Sequence, residues 1–237
     1  MATSSTPQRA GPGRGRPPRL DAARTVDVAL ALLDEAGLDA LTMRRLADAV
    51  GAQVGALYRY FATKQDLLTA MAERMLAGCG DPLPSHENWP GQVAEMAERM
   101  RNALLRYQDG ARVFAGTHAV GVNTLSFSDT LVGVLRGAGF ADEDAARATF
   151  AIVSFVIGHT LEEQAADAYP QDGPLLESAL EPGAFPHLTA ARHTLTSADF
   201  GTHFRFGLKL IITGLRHHEP GRQDLHNATR LSRREQR

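Results

Sequence analysis

The sequence predicts an all-α protein built from two helical domains. Apolar residues recur at intervals of three and four along most of the 237 residues, which places them on one face of an α-helix. No stretch alternates apolar and polar residues for long enough to indicate β-strands. A break rich in glycine and proline, residues 78–84, separates an N-terminal domain over residues 20–77 from a C-terminal domain over residues 85–218.

Four helices are predicted in the N-terminal domain, and residues with known capping or turn preferences mark their ends. Asp21 precedes the first helix and Gly37 follows it, and Leu41-Thr42 opens the second, which ends at Gly51. Ala56, Leu57 and Tyr60 lie within the third. The pair Thr63 and Asp66, which resembles a capping box, precedes the fourth. The first three helices form a predicted helix-turn-helix domain.

The C-terminal domain is predicted to be helical from end to end, apart from one loop. The expected helices cover residues 89–107, 110–116, 127–137, 142–168, 186–195 and 199–217, with Ser197 as N-cap of the last. Residues 169–187 hold four prolines and two glycines and are predicted to form a loop. Residues 1–19 and 219–237 lack apolar periodicity, so a disordered basic arm and a disordered tail are expected.

Composition indicates a soluble protein with an anionic partner at one end. Residues 1–64 carry nine Lys or Arg and six Asp or Glu, although the whole chain has a net charge of −2. A basic head on an acidic body favours binding to a polyanion through the head, although an ordinary fluctuation in charge remains open. No apolar run is long enough to span a bilayer and no signal peptide is expected. Cys79 is the only cysteine, which fits a reducing cytoplasm.

An enzymatic function is disfavoured because the usual catalytic motifs are missing from the sequence. HExxH, a P-loop, GxSxG and GxGxxG are all absent. No metal site and no cofactor are predicted. Cys79 lies in a glycine-rich break and has no patterned histidine partner.

Residues 42–60 have the pattern of a helix-turn-helix. Leu46 and Ala47 supply an apolar face, Gly51 suits a tight left-handed turn, and Leu57 buries the second helix against the first. In this motif the second helix enters the major groove of DNA. A generic pair of antiparallel helices would also fit this pattern taken alone.

Residues 40–68 resemble the DNA-binding domain of the TetR/AcrR family of transcription regulators. The resemblance rests on Ala-Leu-Thr-Met-Arg-Arg-Leu-Ala, Ala-Leu-Tyr-Arg-Tyr-Phe and Lys-Gln-Asp-Leu-Leu, in that order. It implies that Met43 and Arg44 start the first helix of the pair, that Val54, Gly55 and Tyr58 face DNA, and that Lys64 touches phosphate. Thr42, Arg59 and Tyr60 complete the expected DNA-binding set, Arg59 and Tyr60 as phosphate contacts.

The arm contains Arg14-Gly-Arg-Pro17, which resembles the core of an AT-hook. Arg14 and Arg16 are therefore expected to enter the minor groove of A·T-rich DNA. A tail that only improves solubility is the alternative.

The C-terminal domain resembles the tetracycline repressors within that family. The resemblance rests on residues 101–117 and 158–164 and implies a dimer with a buried effector pocket. The family's metal-ligating histidine falls on Phe114, and the other tetracycline-binding positions fall on Gly80, Met96, Met100, His118 and Leu131; Thr117 and Glu162 keep the family's residue. We therefore expect an apolar or aromatic effector rather than Mg²⁺–tetracycline, because a phenyl ring cannot coordinate Mg²⁺.

Several of these effector-site residues also have simpler interpretations. Met96 and Met100, four residues apart, would suit an ordinary helical core. His118 and His159, the latter a further possible polar anchor for the effector, could be structural histidines, and Glu162 could be a solvated residue near a helix end.

Dimerisation is predicted to use an apolar stripe on the last helix. The stripe comprises Phe200, Phe204, Leu208, Ile211, Ile212 and Leu215. The helix over residues 142–168 is apolar on two faces, with Phe150, Ser154, Ile157 and Leu161 on one of them. Because one domain covers only one face, a symmetry mate is expected to cover the other.

The predicted function is thus a homodimeric, ligand-controlled regulator of transcription, by default a repressor, that binds double-stranded operator DNA and has no membrane partner. An architectural DNA-binding protein without an effector is the alternative, and a measured effector site would separate the two.

Deletion of residues 1–19 tests the arm. If Arg14 and Arg16 insert into a minor groove, the deletion should weaken binding chiefly to operators with A·T-rich flanks, because that groove is narrow and strongly negative. Fluorescence anisotropy on matched A·T-flanked and G·C-flanked operators measures the difference. Equal losses of affinity for both operators would show that the arm contributes only nonspecific charge attraction.

Overall fold

The computed structural model describes residues 21–83, 88–117, 119–180 and 185–217, and over these ranges the chain is all-α, as predicted. The helices are α1 (Ala22–Ala40), α2 (Met43–Ala49), α3 (Val54–Leu57), α4 (Lys64–Met75), α5 (Trp89–Leu105), α6 (Gly110–Ala115), α7 (Val122–Gly137), α8 (Asp142–Ala168), α9 (Asp172–Ala179), α10 (Pro186–Ala190), α11 (Arg192–Leu195) and α12 (Phe200–His217). None of these helices is both long and apolar enough to cross a membrane. The predicted arm, the predicted tail and His118 lie outside the described residues.

The N-terminal helices begin where the capping residues predicted, but the third ends at Leu57, so Tyr60 lies in the turn after it rather than within the helix. The Asp21 carboxylate accepts a hydrogen bond from Ala23 N at 2.9 Å. Thr63 and Asp66 form a complete capping box at the start of α4. Gly37, with φ of +75°, interrupts α1, which resumes for a short final segment ending at Ala40.

Helix α8 organises the C-terminal domain, since α5, α6, α7 and α12 all pack against it. Its buried face includes Ile152, Val156 and Thr160. One continuous apolar core extends from Val26 in α1 to Ile212 in α12. Helix α4 of the N-terminal domain packs directly onto α6 and α7 of the C-terminal domain.

Three predicted boundaries in the C-terminal domain were wrong. Helix α7 begins at Val122, five residues before the predicted start. The predicted loop contains α9, whose Pro174 lies in the first turn, where proline is tolerated. The predicted helix over 186–195 is divided into α10 and α11.

The cap of the last helix also differs from the prediction. Asp199 rather than Ser197 bonds the first turn of α12, because its carboxylate accepts from Thr202 N at 3.0 Å and from the Thr202 hydroxyl at 2.6 Å. These hydrogen bonds lower the pKa of Asp199. Ser197 accepts a hydrogen bond from Asp199 N instead.

The apolar stripe of α12 is covered by its own chain, which corrects part of the dimer prediction. Phe204 and Leu208 are 0% and 3% exposed, and the Phe204 ring stacks on Phe155 of α8 with centroids 5.3 Å apart. Neither residue is available to a partner. Phe200, Ile211 and Leu215 are half-buried. The spacing identified a covered helix face but not which chain covers it.

Gly110→Ala should destabilise the protein by about 1–3 kcal/mol, the usual range for overpacking. A Cβ at this buried position would overlap Leu104 O, so the backbone must shift. Gly133→Ala is the matched control: a Cβ there meets nothing within 4 Å, and the helix should gain up to about 1 kcal/mol. Urea unfolding followed by circular dichroism measures both. An unchanged free energy of unfolding in Gly110→Ala would show that the backbone between α5 and α6 adjusts freely.

Candidate DNA-binding surface and interdomain junction

Helices α2 and α3 form a helix-turn-helix built on a small apolar contact. Leu46 and Ala47 of α2 and Leu57 of α3 are all fully buried. The Thr42 hydroxyl accepts from Arg45 N at 3.1 Å and so caps α2. Gly51 has φ of +66°, the left-handed turn that the sequence predicted.

Most of the predicted DNA-binding residues are exposed, and we call this set the candidate DNA-binding surface. Exposed residues are Thr42, Arg44, Gly55, Tyr58, Arg59, Tyr60 and Lys64, and Val54 is half-buried. Within the described residues, Arg44, Arg59 and Lys64 have no carboxylate within 4.0 Å. Their positive charges are therefore free to meet phosphates or base edges.

Met43 is a correction to the predicted set. Its side chain is only 7% exposed and belongs to the apolar core. Because Met43 is the first residue of α2, its spacing from Leu46 and Ala47 places all three on the buried face. Arg44, one position later, faces solvent.

A junction of hydrogen bonds joins α1 to the turn between α5 and α6. The Asp109 carboxylate accepts from Leu38 N at 2.8 Å, and the Asp34 carboxylate accepts from Gln108 N at 3.2 Å. The Arg112 guanidinium donates to both oxygens of Asp39, at 3.1 and 2.9 Å. This contact with Arg112 lowers the pKa of Asp39. We call this set of contacts the α1–α6 junction.

Gln164 of α8 holds the same turn from the other side. Its side-chain oxygen accepts from Ala111 N at 3.0 Å. Its amide nitrogen donates to Tyr107 O at 2.9 Å and to Leu104 O at 3.3 Å. One side chain thus satisfies the backbone at the end of α5 and at the start of α6. The turn is therefore fixed between α8 and α1 of the N-terminal domain.

Two residues of helix α4 make further hydrogen bonds to the C-terminal domain. Gln65 donates to Gly116 O, just after α6, at 2.7 Å. The Glu73 carboxylate accepts from Thr124 N at 2.8 Å and from the Thr124 hydroxyl at 2.9 Å. Glu73 thereby binds the first turn of α7, where a helix favours negative charge.

A part-buried ion pair joins α5 to α8. Arg101 donates to Glu163 at 2.6 and 3.0 Å, and its guanidinium lies 5.1 Å from the centre of the Phe204 ring. Beside it, burial lowers the pKa of His159, whose ring packs against Phe204 at 5.3 Å. The pair fixes the relative positions of α5, α8 and α12.

The predicted effector residues do not form one open site in this structure. Met96, Met100 and Leu131 are fully buried in the core, and Phe114 is 9% exposed. The Thr117 hydroxyl donates to Phe114 O at 2.9 Å. Glu162 is exposed and lines a separate cavity of about 610 Å³ between α8, α9 and α12. The apolar residues and Glu162 are thus placed apart.

The sequence interpretation missed the residues that join the two domains. Asp34, Asp109, Gln65 and Glu73 form bonds between positions about 50 to 74 residues apart. No local pattern marks such residues. Gln164 could have been found from the sequence, since it is the last residue of the segment 158–164 on which the resemblance of the C-terminal domain rests.

Two family models match the chain and together cover nearly all of the described residues. The model for bacterial regulatory proteins of the tetR family matches residues 26–71, and the model for the tetracyclin repressor-like C-terminal domain matches residues 81–218. The chain belongs to the TetR family.

Relatives and solved structures agree with this assignment. A tetracycline repressor protein of class A from Escherichia coli is 38% identical over 194 residues, 80% of this chain and 88% of that protein. The crystal structure of a possible TetR family regulator from Streptomyces coelicolor A3(2) is 57% identical, with a TM-score of 0.79 over 83% of this chain and 98% of that one. ActR from S. coelicolor, in complex with actinorhodin, is 29% identical, with a TM-score of 0.75 over 85% and 99% of the two chains.

These findings establish the class of function. The chain is a ligand-responsive, DNA-binding regulator of transcription. Members of this family bind operator DNA and small molecules and are dimeric.

Arg44→Ala and Lys64→Ala should affect DNA binding differently. If Arg44 reads a base, its loss should weaken operator binding by about 1–3 kcal/mol and leave random DNA less affected. If Lys64 contacts phosphate, its loss should weaken binding to all DNA sequences alike. It should also reduce the slope of log affinity against log salt concentration by about one unit. Anisotropy titrations at several salt concentrations separate the two effects. Equal losses on operator and random DNA would remove Arg44 from base reading.

Proposed function

We propose that this TetR-family chain is a homodimeric repressor that an apolar or aromatic effector, not Mg²⁺–tetracycline, releases from its operator. The observation that carries the proposal is Phe114, a largely buried phenyl ring at the position where the resemblance places a metal-ligating histidine. Because its target is DNA, we expect it to act in the cytoplasm.

The side chains around Phe114 favour an apolar ligand. Met96 and Met100 are flexible thioethers that adapt to irregular ligands, and Leu131 adds an aliphatic wall. All three are closed into the core here, so an effector must separate them to enter. The relative that binds actinorhodin shows that this fold accepts an organic ligand. The polar contacts that we propose are Thr117 and His118. Glu162, the third polar residue of the prediction, lines another cavity.

The proposed effector contacts lie close to the DNA-binding domain. Phe114 belongs to α6, whose Arg112 bonds Asp39 of α1. Gln65 of α4 bonds the backbone that follows α6. A ligand that displaces Phe114 would therefore strain both contacts. Release follows only if the ligand binds the displaced state more tightly than the packed one.

We expect no useful binding of Mg²⁺–tetracycline. Burying polar groups of the drug without partners costs about 1–3 kcal/mol for each group, and several partners are missing. Calorimetric titration of the protein with tetracycline, with and without MgCl₂, measures this directly. A tetracycline repressor of class A, tested in parallel, is the positive control. Micromolar or tighter Mg²⁺-dependent binding would contradict the role given to Phe114.

We propose that the dimer forms through the exposed sides of α8 and α12. Phe150 on α8 is 76% exposed, and Phe206 and Leu210 on α12 are 64% and 58% exposed. Gly158 and Gly214 add small exposed positions that allow close approach. Exposed aromatic and aliphatic residues of this size favour burial by a partner. We call this the α8/α12 face; it replaces Phe204 and Leu208 in the predicted interface.

Leu210→Glu should give a folded monomer with weak operator affinity, because the charge would be buried only in the dimer. Lys209→Glu, the neighbouring residue on another side of α12, is the matched control and should remain dimeric. Phe204→Glu should instead unfold the chain, since Phe204 lies in the core. Sedimentation equilibrium and circular dichroism distinguish these outcomes. A stable Leu210→Glu dimer would place the interface elsewhere.

A further inference from the structure

A groove between α5 and α12 forms a second candidate ligand site. Its volume is about 550 Å³, within the range of sites that take small organic molecules. Leu208 and Ile212, 3% and 9% exposed, lie on its apolar floor. Leu83 and Ala94 complete the apolar part. We call this cavity the α5/α12 groove.

The two walls of the groove differ in charge. On the α5 wall, Glu95 is paired with Arg99 at 2.9 Å and Glu98 with Arg101 at 3.5 Å. The α12 wall carries Arg205, Lys209 and Arg216. Along the described chain none of these three cations has a carboxylate within 4.0 Å, and Arg205 donates only to the Thr202 hydroxyl, at 3.3 Å.

The helical spacing gathers these cations in one place. Positions 205, 209 and 216 are separated by four and seven residues, which places them on one side of an α-helix. The apolar Leu208 and Ile212 lie directly beside them. Three unpaired positive charges next to an apolar floor suit a ligand that is itself anionic at one end and apolar at the other.

The groove is separate from the surfaces assigned above. Leu210 and Gly214 of the α8/α12 face lie on the other side of the buried stripe of Phe204 and Leu208. Phe206, also of that face, precedes Lys209 by three residues, so the groove opens beside the face. The proposed effector residues Met96 and Met100 point into the core, whereas Glu95 and Glu98, on the same helix, line the groove.

We propose that the α5/α12 groove binds an amphiphilic organic anion, a carboxylate carried on an alkyl or aromatic body. The apolar body covers Leu208 and Ile212, and the carboxylate bonds Arg205 and Lys209. Charge-assisted hydrogen bonds between guanidinium or ammonium groups and a carboxylate are stronger than neutral ones. A nucleic acid is a poorer fit, because it would leave the apolar floor uncovered.

Calorimetric titration of the full chain with dodecanoate, below its micelle concentration, tests the proposal. Dodecanol and dodecyltrimethylammonium are the probes with the same alkyl chain but no charge or the opposite charge. We expect dodecanoate to bind at least about tenfold more tightly than either, a difference of about 1.4 kcal/mol.

Variants locate the binding. Arg205→Gln combined with Lys209→Gln should weaken dodecanoate binding at least about tenfold. Arg136→Gln combined with Arg147→Gln, which removes two exposed arginines elsewhere, should have no effect. Ala94→Phe, which fills the groove, should also weaken binding while circular dichroism shows a folded protein.

Two results would overturn the proposal. Equal affinities for dodecanol and dodecanoate would show that the alkyl chain only adsorbs on apolar surface and that the cations play no part. Unchanged affinity in the Arg205 and Lys209 variant would place dodecanoate elsewhere on the protein, including the core around Phe114. Because the readout is ligand affinity and involves no operator, failure here leaves the proposed repressor function and its effector untouched.

Discussion

The hydrogen-bonded turn between α5 and α6 is the constraint on which the arrangement of the two domains depends. Gln164 fixes it from α8 through three backbone groups. Asp109 fixes it to α1 through Leu38 N. Each bond alone contributes about 0.5–1.5 kcal/mol, but together they specify one geometry. Gly110 allows the approach, because any Cβ there would overlap Leu104 O.

This constraint explains how a ligand in one domain could control DNA binding by the other. Helix α6 carries Phe114 in the interior and Arg112 at the α1–α6 junction. A helix of only six residues held at both ends has little freedom to absorb a displaced ring. In the proposed mechanism, movement of Phe114 would pass to α1 and α4, and α1 packs against α2. Two half-sites on DNA are one helical turn apart. A small change in the distance between the two DNA-binding domains of a dimer is therefore enough to prevent both from binding at once.

The sequence predicted what depends on neighbouring residues and failed where distant residues decide. The caps at Asp21 and Thr63 and the turn at Gly51 were confirmed, because each is a local preference of the backbone. The start of α7 was missed, because Glu73 binds its first turn from 51 residues away. Phe204 was assigned to a partner, because periodicity shows that a face is covered but not by which chain. The family motif indicated residues that the structure leaves exposed on α2, α3 and the start of α4, whereas no motif indicates the α1–α6 junction.

The most direct test of this account is the operator affinity of Asp109→Ala, measured on a full operator and on a single half-site after site selection from random DNA. The variant removes the bond to Leu38 N and the 3.9 Å ion pair with Arg112, and it changes no predicted DNA-binding residue. If the junction sets the distance between the two DNA-binding domains of the dimer, affinity for the full operator should fall about tenfold, about 1.4 kcal/mol. Affinity for the half-site should stay unchanged. Equal affinities of variant and native protein for the full operator, in a folded dimer, would contradict the account.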